Sequence, residues 1–212
     1  MIHDPTELKG DLSHLKAWKK VFTIRKKVYD QLINYCNPTL IPHPYIQHKR
    51  NKEPKYHATS HSRIDFDKYT HLITEANDLL PPNKQIKIFG AKTGMYSHIR
   101  LKETNFENYY QGSWPKTLLY PPEHALGENV IDMSAIAGDG NETQYTFLEA
   151  IDSERNLILN SNWFTEQNEL SEYSQTASTP QQLAELIQQK PEPINRKLKQ
   201  KILNNHKPHK IS

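Results

Sequence analysis

The chain lacks several features that would narrow its class. Its 212 residues include one cysteine, Cys36, which excludes an internal disulfide and a zinc site built from several cysteines. No apolar run reaches 18 residues, so the sequence does not predict a membrane-spanning helix. The first ten residues carry Asp4 and Glu7 and have no hydrophobic segment of the kind that a signal peptide needs. These absences predict a cytoplasmic protein with no membrane partner.

The sequence also lacks common motifs of nucleophilic and nucleotide enzymes. A Gly-x-Ser-x-Gly motif, which exposes a serine nucleophile on a sharp turn, does not occur. The segment Gly138-Asp139-Gly140 is too short and too acidic to surround a phosphate, and no helix is predicted after the turn-rich stretch 90–94. The sequence therefore does not favour an enzyme acting on nucleotides, and it predicts no cofactor and no metal.

Charge is distributed unevenly along the chain, although the formal net charge is only +3. Residues 1–55 contain 11 basic and 5 acidic residues, and residues 190–212 contain 7 basic residues and 1 acidic residue. Residues 101–189, in contrast, contain 3 basic and 14 acidic residues. An acidic region of this kind repels nucleic acid and attracts basic partners, mainly by raising the association rate.

Hydrophobic periodicity divides the chain into four segments. Apolar residues at three- and four-residue steps predict one basic amphipathic helix within residues 1–36, from about Asp11 to Tyr35. Residues 37–60 are rich in proline and histidine and are predicted to form an extended arm. Residues 61–190 are predicted to form the main domain, and the basic residues 191–212 to form a mobile tail.

Within the main domain, the pattern predicts helices at both ends and strands between them. Helices are predicted over 64–80 and from Thr179, where a hydroxyl cap followed by Pro180 is typical of a helix start. Five or six strands are predicted between them, over residues 85–89, 97–102, 117–120, 129–137, 143–151 and 156–163. Because strands follow one another without alternating helices, the predicted fold is α+β, with an antiparallel sheet covered by the N-terminal helices and a short C-terminal helix.

The histidines and the carboxylates are the residues that could carry metal chemistry in this chain. His57 and His61 have the i, i+4 spacing of a metal pair, but no glutamate follows the first histidine and the flanks are not helical. Asp132, Asp139, Glu142 and Glu149 could supply carboxylates to the cation of a nuclease. A lysine that would polarise the attacking water is absent from the stretch 147–151, where Ile151 stands in its place.

The segment from about Lys116 to Gln188 resembles the C-terminal half of the SUKH superfamily of immunity proteins. The resemblance is carried by 118–122 (Leu-Leu-Tyr-Pro-Pro), by 136–141 (Ile-Ala-Gly-Asp-Gly-Asn), and by the strand and helix patterns at 144–148, 157–159 and 178–187. It covers about a third of the chain. The long basic helix and the His/Pro-rich arm have no counterpart in that family.

The resemblance implies a non-catalytic inhibitor that binds a toxin and blocks its active site. A basic, nuclease-like protein toxin is the expected partner, since the acidic strand region would occupy the surface that takes phosphates. The residues expected to bind it are acidic side chains with an aromatic anchor: Asp132, Asp139, Glu142, Glu149, Asp152, Glu154, Trp163 and Phe164. The alternative is a nucleic-acid-binding or metal-dependent nuclease-like protein that uses the basic N-terminal helix and tail.

Overall fold

The computed structural model describes residues 8–47, 53–113, 127–135, 142–191 and 193–208. Asp139 and the strand predicted over 117–120 lie outside these residues. Seven strands and eight helices are assigned in the described parts. The strands are β1 (Val21–Thr23), β2 (Pro38–Leu40), β3 (Tyr56–His61), β4 (Ile86–Phe89), β5 (Gly127–Asp132), β6 (Asn156–Asn160) and β7 (Gln175–Ala177). The helices are α1 (Lys26–Leu32), α2 (Thr70–Asp78), α3 (Gly94–Tyr96), α4 (Phe106–Tyr109), α5 (Tyr145–Asp152), α6 (Glu169–Tyr173), α7 (Pro180–Gln188) and α8 (Arg196–Asn205).

The N-terminal residues form a small βαβ unit, and the prediction of one long helix from Asp11 to Tyr35 was wrong. A 3₁₀ turn over Ser13–Ala17 is followed by β1, α1 and β2, and β1 pairs with β2 in parallel. The run 21–24, Val-Phe-Thr-Ile, consists of residues that favour strands, and this local preference overrides the helical spacing around it. Trp18, expected on the buried face, is 67% exposed.

The main sheet is parallel, and the prediction of an antiparallel sheet was wrong. Its five strands have the order β4-β3-β5-β6-β7, and every neighbouring pair is parallel. A single parallel bridge between Ile88 and Tyr110 adds one further position beyond β4. Helices connect successive strands, so the architecture is a doubly wound, Rossmann-like α/β fold.

Two predicted strands are helical in the structure, which explains the wrong fold class. Residues 145–152 form α5, in which Phe147, Leu148 and Ile151 are fully buried. These positions fit one face of a helix as well as they fit a strand, and short apolar runs do not separate the two. Residues 94–101 form α3 and a π-helical turn instead of the second strand of a hairpin.

Both faces of the sheet are covered, so its strands are buried on both sides. Ile131 belongs to the core on the side of α2 and α7, whereas Val130 belongs to the core on the side of α5, α6 and α8. The α7 helix begins as predicted, with the Thr179 hydroxyl accepting from the backbone N–H of Gln182 at 3.2 Å.

The segment predicted to be a mobile tail contains the packed helix α8. Three of its apolar residues, Leu198, Ile202 and Leu203, are buried against α5 and α6. Burying a leucine or isoleucine side chain stabilises a fold by about 1.5–3 kcal/mol, so this helix contributes to the stability of the domain. In the described parts of the chain, no helix combines the length and the apolar character needed to cross a bilayer.

Candidate functional site

The strand order creates a topological switch point between β3 and β5, the position at which open α/β sheets form a crevice. From β3 the chain first crosses to β4 on one side, and it later enters β5 on the other side of β3. In open α/β sheets, ligands bind at such a switch point, outside the carboxyl ends of the strands. The loop after β3, residues 62–69, and the residues after β5, from Met133 onward, border this crevice.

A cluster of three polar side chains joins the two loops at the switch point. The Lys68 ammonium donates a hydrogen bond to the Ser134 hydroxyl at 2.8 Å. Asp132, the last residue of β5, accepts hydrogen bonds at Oδ1 from the Ser134 backbone N–H, at 2.8 Å, and from the Ser134 hydroxyl. The backbone supports the contact, because the N–H of Ala135 donates to the Asp67 carbonyl at 3.3 Å.

Lys68 is an unusual lysine because its side chain is buried, at 7% exposure. An ammonium group has three N–H donors, and in the described residues the Ser134 hydroxyl is the only acceptor within reach of Lys68. Removing a charge from water is costly unless an opposite charge compensates it. The Asp132 carboxylate lies beyond the Ser134 hydroxyl, so it offsets part of this charge but accepts no hydrogen bond from the ammonium, and two N–H donors of Lys68 are left for a ligand.

Arg63 adds a second positive charge to the same loop. Its guanidinium is exposed and lies 3.6 Å from Asp65 and 3.5 Å from Asp67. Exposed ion pairs of this kind contribute only about 0–1 kcal/mol, so a stronger anion could displace them at little cost.

The loop after β4 fixes the backbone that carries these groups. The backbone N–H of Ser62 donates to the Phe89 carbonyl at 3.3 Å, and that of Ile64 donates to Ala91 at 2.9 Å. Gly90 lies so close that a β-carbon on it would come within 1.8 Å of the Ser62 carbonyl oxygen, and its φ is +148°. Glycine is needed here for both close approach and backbone conformation.

A second concave feature, the N-terminal cleft, lies between the βαβ unit and the carboxyl edge of the sheet. Its volume is about 390 Å³, and its lining includes Ile24, His43, Thr143 and Asn168. His206 closes one side, contacting the His43 carbonyl at 2.9 Å and the Thr143 hydroxyl at 3.2 Å. Burial lowers the pKa of His206, and the hydrogen bond to His43 partly opposes that effect.

The structure separates the residues predicted to bind a toxin. Four of them are buried: Asp132, Glu149, Asp152 and Trp163. Glu142 lines the N-terminal cleft, accepting from the Lys26 backbone N–H at 2.7 Å, and Phe164 is half-buried against the core. Glu154 pairs with Lys199 at 3.0 Å. Asp139 lies outside the described residues.

The seven of these residues that the structure describes do not form one exposed acidic face, and they do not form a metal centre. Asp152 accepts from the Tyr45 hydroxyl at 3.1 Å, so it contributes to the link between the N-terminal residues and the domain. His61 stacks on Phe89, with 4.9 Å between the ring centroids. His57 instead contacts the Ile187 carbonyl at 3.0 Å, so the two histidines do not share a site. Across the ranges that the structure describes, no group of three His, Cys, Asp or Glu residues could hold a metal ion.

Sequence reasoning missed Arg63, Lys68 and Ser134. Residues 56–61 form β3, but they were assigned mainly to the arm, so the polar residues after them were not recognised as the end of a strand. The turn-rich stretch 90–94 was set aside because no helix was predicted after it, whereas α3 begins at Gly94. If β3, β4 and β5 had been recognised as parallel strands, the loops that follow them would have been predicted to lie at the same edge of the sheet.

No protein-family model matches the chain, and no curated protein sequence matches it. Solved structures do share its fold. HepE of Anabaena in complex with UDP has a TM-score of 0.58 and 13% identity, covering 83% of this chain and 55% of that chain. TarM of S. aureus, solved with fondaparinux, alpha-GlcNAc-glycerol and UDP, has a TM-score of 0.57 and 14% identity, covering 92% of this chain and 41% of that chain. A GtfA/B complex has a TM-score of 0.51 and 16% identity, covering 92% and 44%.

The chain therefore shares the Rossmann-like fold of these structures, and it spans about half the length of the neighbours it matches. The resemblance to SUKH immunity proteins was wrong, because the described parts of the segment that carried it, residues 127–135 and 142–188, contain parallel strands and helices of this fold.

The predicted toxin inhibitor and its basic toxin partner are also contradicted, since the structural neighbours HepE and TarM were solved with UDP or UDP-glucose and not with a protein toxin. The nucleic-acid-binding or nuclease-like alternative depended on a long basic N-terminal helix. The structure has β1, α1 and β2 in its place.

Proposed function

We propose that this chain binds a nucleotide sugar at the switch-point crevice and serves a sugar-transfer reaction. HepE was solved with UDP and with UDP-glucose, and TarM was solved with UDP. At 13–16% identity these likenesses concern the fold, so support for the ligand must come from this chain's own residues.

The observation that carries the proposal is the buried Lys68 ammonium. It lies where α/β sheets bind their ligands, and two of its three N–H donors have no acceptor in the described residues. A diphosphate supplies charged oxygen acceptors for these two donors. Arg63, exposed on the same loop, provides a second cation for the outer phosphate oxygens.

The proposal gives each group a distinct part. Lys68 holds the diphosphate, the Ser134 hydroxyl holds Lys68 in place, and Gly90 holds the backbone of the loop that carries Arg63. In a sugar transfer, the nucleoside diphosphate is the leaving group. Positive charges fixed at this position would stabilise the negative charge that develops on it.

The test measures binding of UDP and UDP-glucose to the full chain by isothermal titration calorimetry. Replacing Lys68 by Met removes the charge and retains most of the apolar volume. A hydrogen bond to a charged group contributes about 1.5–3 kcal/mol, so we expect affinity for UDP to fall by roughly 10- to 100-fold.

Lys84→Met is the matched control. Lys84 also makes a single hydrogen bond, at 2.9 Å to the Gln188 carbonyl, but it lies before β4 at the opposite edge of the sheet. Its substitution makes the same change in net charge and should leave affinity unchanged. Failure of the wild-type chain to bind either ligand, or equal affinities for the two variants, would contradict the proposal.

A further inference from the structure

Asp132 has one carboxylate oxygen that the fold uses and one that it does not. The residue is 2% exposed at the end of β5. Oδ1 accepts both the N–H and the hydroxyl of Ser134. Oδ2 is buried and has no hydrogen-bond partner in the described residues. An unpaired buried oxygen of a charged group is costly, so its retention at a ligand crevice points to a partner that arrives with the ligand.

The chemistry of Oδ2 restricts that partner to a hydrogen-bond donor. An ionised carboxylate only accepts hydrogen bonds, and a phosphate oxygen next to it would add repulsion between like charges. The phosphate is therefore better placed at Lys68, and Oδ2 suits a neutral hydroxyl. Sugars are rich in such groups.

The distance between the Lys68 ammonium and the Asp132 carboxylate suits one ligand that carries both a phosphate and a hydroxyl group. Lys68 and Asp132 form no direct ion pair, because the Ser134 hydroxyl lies between them. Two hydrogen bonds in series put the ammonium and the carboxylate no more than about 6 Å apart. A phosphate and a hydroxyl of the sugar attached to it can span that separation.

We propose that Asp132 recognises the transferred sugar, with Oδ2 accepting a hydrogen bond from one of its hydroxyl groups. This inference rests on the proposed function. It assigns specificity for the sugar to Asp132 and affinity for the diphosphate to Lys68. Substitutions of the two side chains should therefore have different effects in a binding experiment.

The experiment compares UDP with UDP-glucose, UDP-galactose and UDP-N-acetylglucosamine by calorimetry. Asp132→Asn retains an oxygen for Ser134 and replaces the other oxygen by an NH₂ group, so the side chain keeps its shape. Asp152→Asn is the matched control, because Asp152 is also a buried aspartate at the end of its element but bonds to Tyr45 instead.

We expect Asp132→Asn to weaken the tightest UDP-sugar by roughly 10-fold or more while UDP itself changes by less than about 3-fold. The Asp152 variant should leave the ratio of the two affinities unchanged. An equal loss for UDP and UDP-sugar, or no loss for either, overturns the assignment of Asp132. Absence of UDP binding to the wild-type chain instead overturns the proposed function, so the two failures are distinguishable.

Discussion

Gly90 allows a quantitative test of how the candidate site is built. An added β-carbon would meet the Ser62 carbonyl oxygen at 1.8 Å, and this neighbour is backbone that cannot rotate away. The positive φ of +148° adds conformational strain for any residue with a β-carbon. Strain at positive φ costs about 1–2 kcal/mol, and overpacking typically costs a further 1–3 kcal/mol. Gly90→Ala should therefore lower the free energy of unfolding by about 2–5 kcal/mol.

Two other glycines allow the cost of backbone strain to be measured separately from the cost of the close contact. Gly112 has a φ of +96° with open space around it, so Gly112→Ala should cost only the strain, about 1–2 kcal/mol. Gly94 starts α3 with neither strain nor a close neighbour, so Gly94→Ala should be neutral or stabilise by up to roughly 1 kcal/mol.

Urea denaturation, followed by circular dichroism, measures all three variants. We expect the order of stability Gly94→Ala, Gly112→Ala, Gly90→Ala, from highest to lowest. A Gly90 variant within about 0.5 kcal/mol of the Gly112 variant would refute the close contact between the loops after β3 and β4. Since Ser62 precedes Arg63, Gly90→Ala should also weaken UDP binding, whereas Gly94→Ala should not.

Two further predictions concern α8 and its surroundings. Leu203 is fully buried, so Leu203→Ala should lower the free energy of unfolding by about 2–5 kcal/mol. Leu79 is exposed, so Leu79→Ala should change it by less than about 0.5 kcal/mol. Equal effects of the two substitutions in urea melts would contradict the packing of α8. Burial lowers the pKa of His206 from 6.5, so the folded chain binds fewer protons than the unfolded chain below about pH 6.5, and stability should fall as pH falls through that range. His71 shifts in the same direction, so His206→Asn should make the pH dependence of the unfolding free energy shallower without abolishing it, and an unchanged slope would refute the effect of His206.

Part of the architecture could be predicted from local signals. The cap at Thr179 and the apolar stripe after it predict α7 correctly, and β4 and β6 lie within predicted strands. These elements follow from residues close in sequence. The helix predicted over 64–80 contains α2, although it begins later, after a 3₁₀ turn at Phe66–Lys68.

The direction of the strands could not be predicted from local signals. A strand buried on both faces, such as β6 with Leu157, Ile158 and Leu159, has no alternation that distinguishes parallel from antiparallel pairing. The helix α5, which connects β5 to β6, is the element that makes this pair of strands parallel, but the pattern of its apolar residues fits a strand as well as a helix. A strand predicted over 143–151, in place of this helix, leads to an antiparallel sheet.

The candidate site depends on that topology and was missed with it. Lys68 and Ser134 are 66 residues apart, and only a parallel arrangement of β3 and β5 brings them to a hydrogen-bond distance. Asp132 was selected from the sequence as a surface carboxylate for a basic toxin. The structure buries it, because it ends a central strand of the sheet.

The most direct test of the account is the location of UDP on the chain. Titration of UDP into the ¹⁵N-labelled protein should shift the backbone amide signals of residues 62–69 and 133–135, which border the switch point, and the Lys68→Met variant should lose these shifts at the same UDP concentration. Shifts confined to the opposite edge of the sheet, near His57 and Glu128, or no shifts at saturating UDP, would contradict it.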